Sequence, residues 1–198
     1  MPIVLATRNR GKISEIKALL PGVRFEPAAS FPGCPEPEES GRTFEENALI
    51  KARAVARYTE RTALADDSGL EVDALGGAPG VRSARYAGTD ATDQDNLLRL
   101  LDALDGISDA DRTARFRCVM AVAAPDGRTW TEEGVCEGRI LREPRGTSGF
   151  GYDPLFVPAG YGNTFGELDA AIKNHISHRS MALRRIAGIL KTLPGVPE

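Results

Sequence analysis

The chain has 198 residues, 41% hydrophobic and 27% charged, with a formal net charge of −3. This is the composition of a soluble globular protein with a sizeable core, a single domain over residues 1–198 that has room for two closely packed lobes. Slight acidity argues against a nucleic-acid polymer as main partner, because a phosphate backbone demands a basic face, yet it allows a small nucleotide in a local basic pocket. Cys34, Cys118 and Cys136 are few, odd in number and without metal-ligand spacing, which predicts a reduced, cytoplasmic protein. No apolar run reaches the length that spans a bilayer, and Met1–Ala6 is too short for a signal peptide.

Ile3-Val4-Leu5-Ala6 reads as a strand buried on both faces. It enters the polar segment Thr7-Arg8-Asn9-Arg10-Gly11-Lys12, and a helix follows with Ile13, Ile16, Leu19 and Leu20 on one face, stopped by Pro21-Gly22. A loop of this kind at a helix N-terminus suits an anion, since free N–H groups and the helix dipole favour phosphate and the cationic side chains add charge. The glycine spacing of a P-loop is absent. Val23–Glu26 alternates like a short strand, and Pro35–Ser40 is an acidic loop holding Glu36, Glu38 and Glu39. Thr43-Phe44-Glu45-Glu46 predicts a capping box, with Glu46 reaching back, for a helix that runs to about Tyr58. Phe44, Ala48, Lys51, Ala52 and Val55 share one face of it; Lys51 either snorkels to water or reaches a phosphate.

Thr62-Ala63-Leu64-Ala65 reads as the end of a buried strand, followed by Asp66-Asp67-Ser68-Gly69. Two adjacent carboxylates at such a place need a metal ion, a cationic ligand or a basic side chain, because burying a bare charge is very costly. Strand alternation turns one toward a site and the other toward a structural contact. Ser68-Gly69 then allows a sharp turn and close backbone approach, and the alternative reading of the whole stretch is a solvated strand-to-turn corner. Gly76–Gly88 is a long Gly/Pro loop, and such loops tend to be functional. Thr92 or Asp93 caps a helix carrying Leu97, Leu98, Leu101 and Leu104. Arg115–Ala124 and Arg128–Leu141 make a hairpin about Pro125-Asp126-Gly127. Gly146–Pro154 is a second glycine-rich loop, whose Phe150 and Tyr152 either stack on a planar ring or pack in the core. The last helix starts near Ile176-Ser177-His178-Arg179, with Ser177 as N-cap and Ala182, Leu183, Ile186, Ala187 and Leu190 on one face. His178 and Arg179 then sit in its first turn, where cations oppose the dipole unless an anion is present.

Taken together, basic segments (Thr7–Lys12, Lys51, and Lys173 with His178-Arg179) suit anions, and acidic segments (Glu36–Glu39 and Asp66-Asp67) suit a divalent cation. The aromatic loop suits a flat ring. Hard carboxylates with few protein ligands suit Mg²⁺ carried on phosphate oxygens.

The ordered segments Val4–Lys12, Thr43–Ala48, Ala65–Leu70, Gly76–Val81, Ser83–Tyr86, Gly149–Pro154 and Ile176–Arg179 resemble the inosine-triphosphatase-like family of non-canonical purine nucleoside triphosphate pyrophosphatases, the XTP/dITP diphosphatases. The resemblance runs over nearly the whole chain. It implies an α/β fold with a long twisted mixed sheet and flanking helices, two lobes around a central active cleft, and a homodimer. It implies that Thr7, Arg8, Asn9, Arg10, Gly11 and Lys12 bind the triphosphate, that Lys51 reaches the phosphates and that Ser68 contacts substrate. Glu39 and Asp67 would serve Mg²⁺, with Asp67 also the general base. Phe150, Gly151, Tyr152 and Asp153 would enclose the base, and Lys173, His178 and Arg179 would complete the pocket. The implied reaction converts ITP, dITP or XTP to the monophosphate and pyrophosphate. Arg8 and Arg10 make the phosphate loop more basic than the family pattern, and Ala171-Ile172 stand where a more acidic pair is expected. The competing readings are a Maf-like pyrophosphatase acting on modified pyrimidines and other nucleotides, a nucleotide-binding regulatory module, and a two-carboxylate glycosidase, which would leave the basic segments unexplained.

Overall fold

Strand and helix alternate through the first half of the chain, since parallel neighbours in a sheet must be joined by a crossover. The computed structural model describes residues 1–193. Its elements are β1 (Ile3–Leu5), α1 (Arg10–Leu19), β2 (Phe25–Pro27), α2 (Phe44–Thr59), β3 (Ala63–Val72), α3 (Asp93–Ala103), β4 (Thr113–Ala123), β5 (Thr129–Ile140), β6 (Phe156–Pro158), α4 (Ala170–Ile176) and α5 (His178–Thr192). Among the described residues six strands form one mixed sheet in the order β2-β1-β3-β4-β5-β6. Strand β1 is parallel to β2 and β3, with Val4 opposite Glu26 and Ala63. Strand β6 lies antiparallel to β5, with Ile140 opposite Phe156. Gly138 permits that last pairing, because a Cβ there would stand 2.3 Å from the Val157 carbonyl oxygen.

The chain divides into two compact units. Unit 1 comprises residues 1–67, 118–134 and 179–193. Its core joins Ile3, Leu5 and Leu64 to Met120 and Val122 of β4, to Ile16 of α1, and to Ala182, Leu183, Ile186 and Leu190 of α5. The predicted faces of α1 and α5 are the ones buried. Unit 2 comprises residues 68–117 and 135–178. Its core joins Leu70 and Val72, Leu97, Leu100 and Leu104 of α3, Phe116 of β4 and Phe156 of β6.

The structure corrects four local expectations. Ser68-Gly69 makes no turn: β3 continues through it to Val72, because Leu70 and Val72 resume the buried alternation. On α3 the core takes Leu97, Leu100 and Leu104, with Leu101 partly buried, while Leu98 is 56% exposed. The apolar stripe follows the i, i+3, i+4, i+7 spacing and leaves Leu98 outside it. The α2 capping box is only half closed as predicted: Thr43 accepts the Glu46 N–H at 3.1 Å, but the Glu46 carboxylate reaches one residue further, to the Arg42 N–H at 2.6 Å. Finally, Lys173 lies on a short helix, α4, that the sequence did not announce; Ser177 ends it in extended conformation and stands directly before α5, at the N-cap position expected of it. Thr92 caps α3 with a reciprocal bond from Asp95, as a capping box requires.

Candidate active site

Residues Thr7–Lys12 of unit 1 follow β1 and form the entry to α1. Asn9 is the N-cap: its side chain accepts the Lys12 N–H at 3.0 Å, while its own N–H donates to Thr7 Oγ1 at 3.2 Å. Arg10 and Gly11 open the helix, whose first turn carries no acidic residue to compete with an anion. Arg8 points to the surface and pairs with Glu36 at 3.0 Å.

Beside this loop, β3 presents Asp66 and Asp67 on opposite faces. Asp66 is fully buried, and its Oδ2 meets Lys12 Nζ at 3.0 Å and Arg179 Nη2 at 3.3 Å. Arg179 also pairs with Glu15 of α1. Burial opposes the charge on Asp66, but Lys12, Arg179 and Lys51 outweigh it and hold the carboxyl well below the usual range. The cation in the first turn of α5 is therefore offset by carboxylates of the protein itself.

Asp67 is 4% exposed. Its Oδ2 accepts from Asn47 Nδ2 at 3.1 Å, and its Oδ1 lies 3.3 Å from Lys51 Nζ. Lys51 meets Glu39 Oε1 at 2.6 Å, so it does not snorkel to water but bridges the two carboxylates assigned to metal. Burial raises the Asp67 pKa despite Lys51 and Lys12, which pull it down. For Lys51, burial lowers the pKa, but Asp67, Asp66 and Glu39 prevail and raise it. Two hard carboxylate oxygens thus converge on one cation. Such a pair fits Mg²⁺, which takes one or two carboxylates and completes its shell with water and phosphate oxygens. Among the described residues there is no group of three His, Cys, Asp or Glu that could hold a metal unaided. Ser68, the next residue of β3, is half-buried and belongs to unit 2.

Unit 2 gathers the aromatic-loop residues. Asp153 Oδ2 accepts the Phe150 N–H at 2.9 Å and Lys173 Nζ at 2.6 Å. Gly149 stands at φ +80°, and a Cβ there would lie 2.0 Å from that same oxygen, so glycine is required twice over. Lys173 Nζ lies over the rings of Phe150 and Phe165 at 5.1 and 5.6 Å. Tyr152 packs: it is 4% exposed, and its hydroxyl donates to the Ser83 carbonyl at 2.9 Å. Phe150 is half-buried and is the more accessible ring of the loop. His178 is 4% exposed and stacks on Phe116 at 4.8 Å.

The structure thus groups Lys12, Glu39, Lys51, Asp67 and Arg179 in unit 1, and Phe150, Asp153, Lys173 and His178 in unit 2. Sequence reasoning missed Asn47 and Glu15. Asn47 is a fully buried polar residue four positions before Lys51, on the face of α2 lined by alanines, and that spacing was the available signal. Glu15 lies three positions after Lys12, but nothing local links it to Arg179, 164 residues away.

A helix N-terminus following β1, carboxylates from the middle of β3 and ammonium groups from α1 and α2 define an α/β protein of the kind that handles anionic ligands. The profile of the Ham1 family matches residues 3–189, and the chain belongs to that family. It is 54% identical over 195 residues to a dITP/XTP pyrophosphatase of Desulforamulus reducens, covering 98% of this chain and 97% of that one. With a dITP/XTP pyrophosphatase of Bacillus subtilis it shares 48% identity over 190 residues, covering 95% and 96%. Among solved structures, a HAM1 protein from Coxiella burnetii superposes with a TM-score of 0.88 at 46% identity, covering 98% of this chain and all of that one. The resemblance read from the ordered motifs and the α/β fold it implied are borne out.

Proposed function

We propose that the chain hydrolyses the non-canonical purine nucleoside triphosphates ITP, dITP and XTP to the monophosphate and pyrophosphate, and so removes these bases from the nucleotide pool. It is a nucleoside-triphosphate pyrophosphatase. The observation that carries this reading is the Glu39–Lys51–Asp67 bridge beside Lys12 and the N-terminus of α1. The relatives named dITP/XTP pyrophosphatase, matched over almost their whole length, support it.

In this reading Thr7 to Lys12 hold the phosphates through the α1 N-terminus and the cationic side chains. Glu39 and Asp67 would hold Mg²⁺, which when bound would neutralise phosphate charge and help ionise or position water. Asp67 orients the attacking water and takes its proton; Asn47 fixes its Oδ2 so that Oδ1 keeps one direction. Lys51 and Lys12 stabilise the charge that develops on the phosphate oxygens. Asp66 and Arg179 hold Lys12 and the start of α5 in place.

For base recognition, Phe150 supplies the ring, Gly151, Tyr152 and Asp153 shape its loop, and Lys173 and His178 complete the pocket. Hypoxanthine and xanthine present a 6-oxo acceptor where adenine presents an amino donor. A pocket donor there pairs with the first two and leaves adenine badly matched. The protein works in the cytoplasm as a homodimer.

The test is pyrophosphate release from ITP, XTP, dITP, ATP, GTP and dTTP, with Mg²⁺ and with EDTA. Turnover of ITP and XTP well above ATP and GTP, abolished by EDTA, is expected. Preference for pyrimidine nucleotides, or tight binding without turnover, contradicts the reading.

A further inference from the structure

Asp93, in the first turn of α3, lies outside every motif that marks the site, yet its Oδ2 accepts the Gly151 N–H at 2.7 Å. The helix does not need Asp93 as a cap, because Thr92 and Asp95 already close the capping box. One turn on, the buried Asn96 accepts the Ala87 N–H at 2.9 Å and donates to the Ala84 carbonyl at 3.2 Å. The first turn of α3 therefore holds two loops of unit 2 at once, Ala84–Ala87 by Asn96 and Phe150–Asp153 by Asp93.

The second loop has three independent anchors. Lys173 holds Asp153, the Ser83 carbonyl holds the Tyr152 hydroxyl, and Asp93 holds the peptide N–H of Gly151. Gly151 is left-handed at φ +59° with open space where a Cβ would stand, so its conformation, not crowding, calls for glycine. Its N–H belongs to the peptide that follows Phe150. Fixing that peptide restrains the backbone from which the Phe150 side chain leaves, and a carboxylate acceptor makes the bond a strong one.

We infer that Asp93 is a positioning residue for the Phe150 ring and thereby sets how tightly the purine base is bound. The inference rests on the reading of Phe150 as the base platform. Asp93 touches no reacting atom, so its removal weakens binding and leaves the chemical step alone.

Steady-state kinetics with ITP on Asp93→Ala, Asp93→Asn, Phe150→Leu and the Asp93→Ala/Phe150→Leu double variant separate the two claims. Asp93→Ala is expected to raise KM about tenfold with kcat within about twofold, the loss of one charge-assisted bond. Asp93→Asn keeps an oxygen acceptor and restores most of the affinity. The double variant is expected to be no worse than Phe150→Leu alone, since both act through one ring. If Phe150→Leu raises KM and Asp93→Ala does not, the inference fails and the base platform stands. Multiplicative effects in the double variant, or an Asn variant as weak as the Ala variant, also overturn it. If Phe150→Leu leaves KM unchanged, the platform reading itself fails and takes the inference with it.

Discussion

Asp66 Oδ2 and Arg179 Nη2 stand 3.3 Å apart with both side chains at most 2% exposed, tying the middle of β3 to the first turn of α5. Lys12 and Glu15 of α1 complete the group, so two cations and two carboxylates are held together in the interior of unit 1. Such a group stabilises only while it is complete. Asp66→Ala or Arg179→Ala removes one of the two counter-ions of a buried charge, leaving Arg179 with Glu15 or Asp66 with Lys12, and is expected to cost up to about 3–5 kcal/mol. The double variant should cost less than the sum, which denaturant titration of both single variants and the double will read directly.

Lys51 bridges Glu39 and Asp67, meeting them at 2.6 and 3.3 Å. Lys51→Met removes that cation and the charge it offers to phosphate. With ITP at saturating Mg²⁺, kcat is expected to fall about 10²–10³-fold, the scale of losing one preorganised electrostatic contact. An unchanged kcat would assign Lys51 a structural role only.

Gly149 tests the aromatic loop from the other side. An alanine there meets Asp153 Oδ2 at 2.0 Å in a left-handed conformation, so the Asp153–Lys173 pair must open. The backbone alone costs about 1–2 kcal/mol. Gly149→Ala is expected to raise KM for ITP while kcat changes little, which initial-rate kinetics will show.

Two buried thiols give a pH prediction. Burial pushes Cys118 and Cys136 from 9.0 up to about 12, with Asp66 adding to the effect on Cys118 and Glu137 on Cys136. The folded state thus holds these protons more tightly than the unfolded chain. The associated stability is fully present below pH 9.0 and is lost as pH rises toward about 12. Denaturation midpoints should fall over that interval, and less steeply in Cys118→Ala. At pH 8 neither thiol should react with an aromatic disulfide until denaturant is added.

Much of this architecture is written locally. The period of α1, α2 and α5 gave their buried faces, and the adjacent aspartates declared a need for cations before any cation was placed. What sequence could not supply was the pairing of distant groups. Arg179 looked like an N-terminal cation awaiting a ligand, because its partners Glu15 and Asp66 lie 164 and 113 residues away. Tyr152 looked equally able to stack on a ligand or to pack, and only the Ser83 carbonyl decides that it packs. Strand β3 was cut short at Ser68-Gly69 because serine and glycine favour turns, whereas sheet pairing and the burial of Leu70 and Val72 override that preference. Leu98 and Leu100 differ only in which side of α3 the core occupies, which composition does not reveal.

The central claim is that the unit 1 cluster cleaves between the α- and β-phosphates with Asp67 as the proton acceptor. Chromatographic analysis of the products from ITP, for the native chain and for Asp67→Asn, tests it most directly. IMP and pyrophosphate are expected in equal amounts from the native chain, with formation of both reduced at least about a hundredfold in Asp67→Asn. IDP and orthophosphate as products, or an Asp67→Asn variant as active as the native chain, would contradict it.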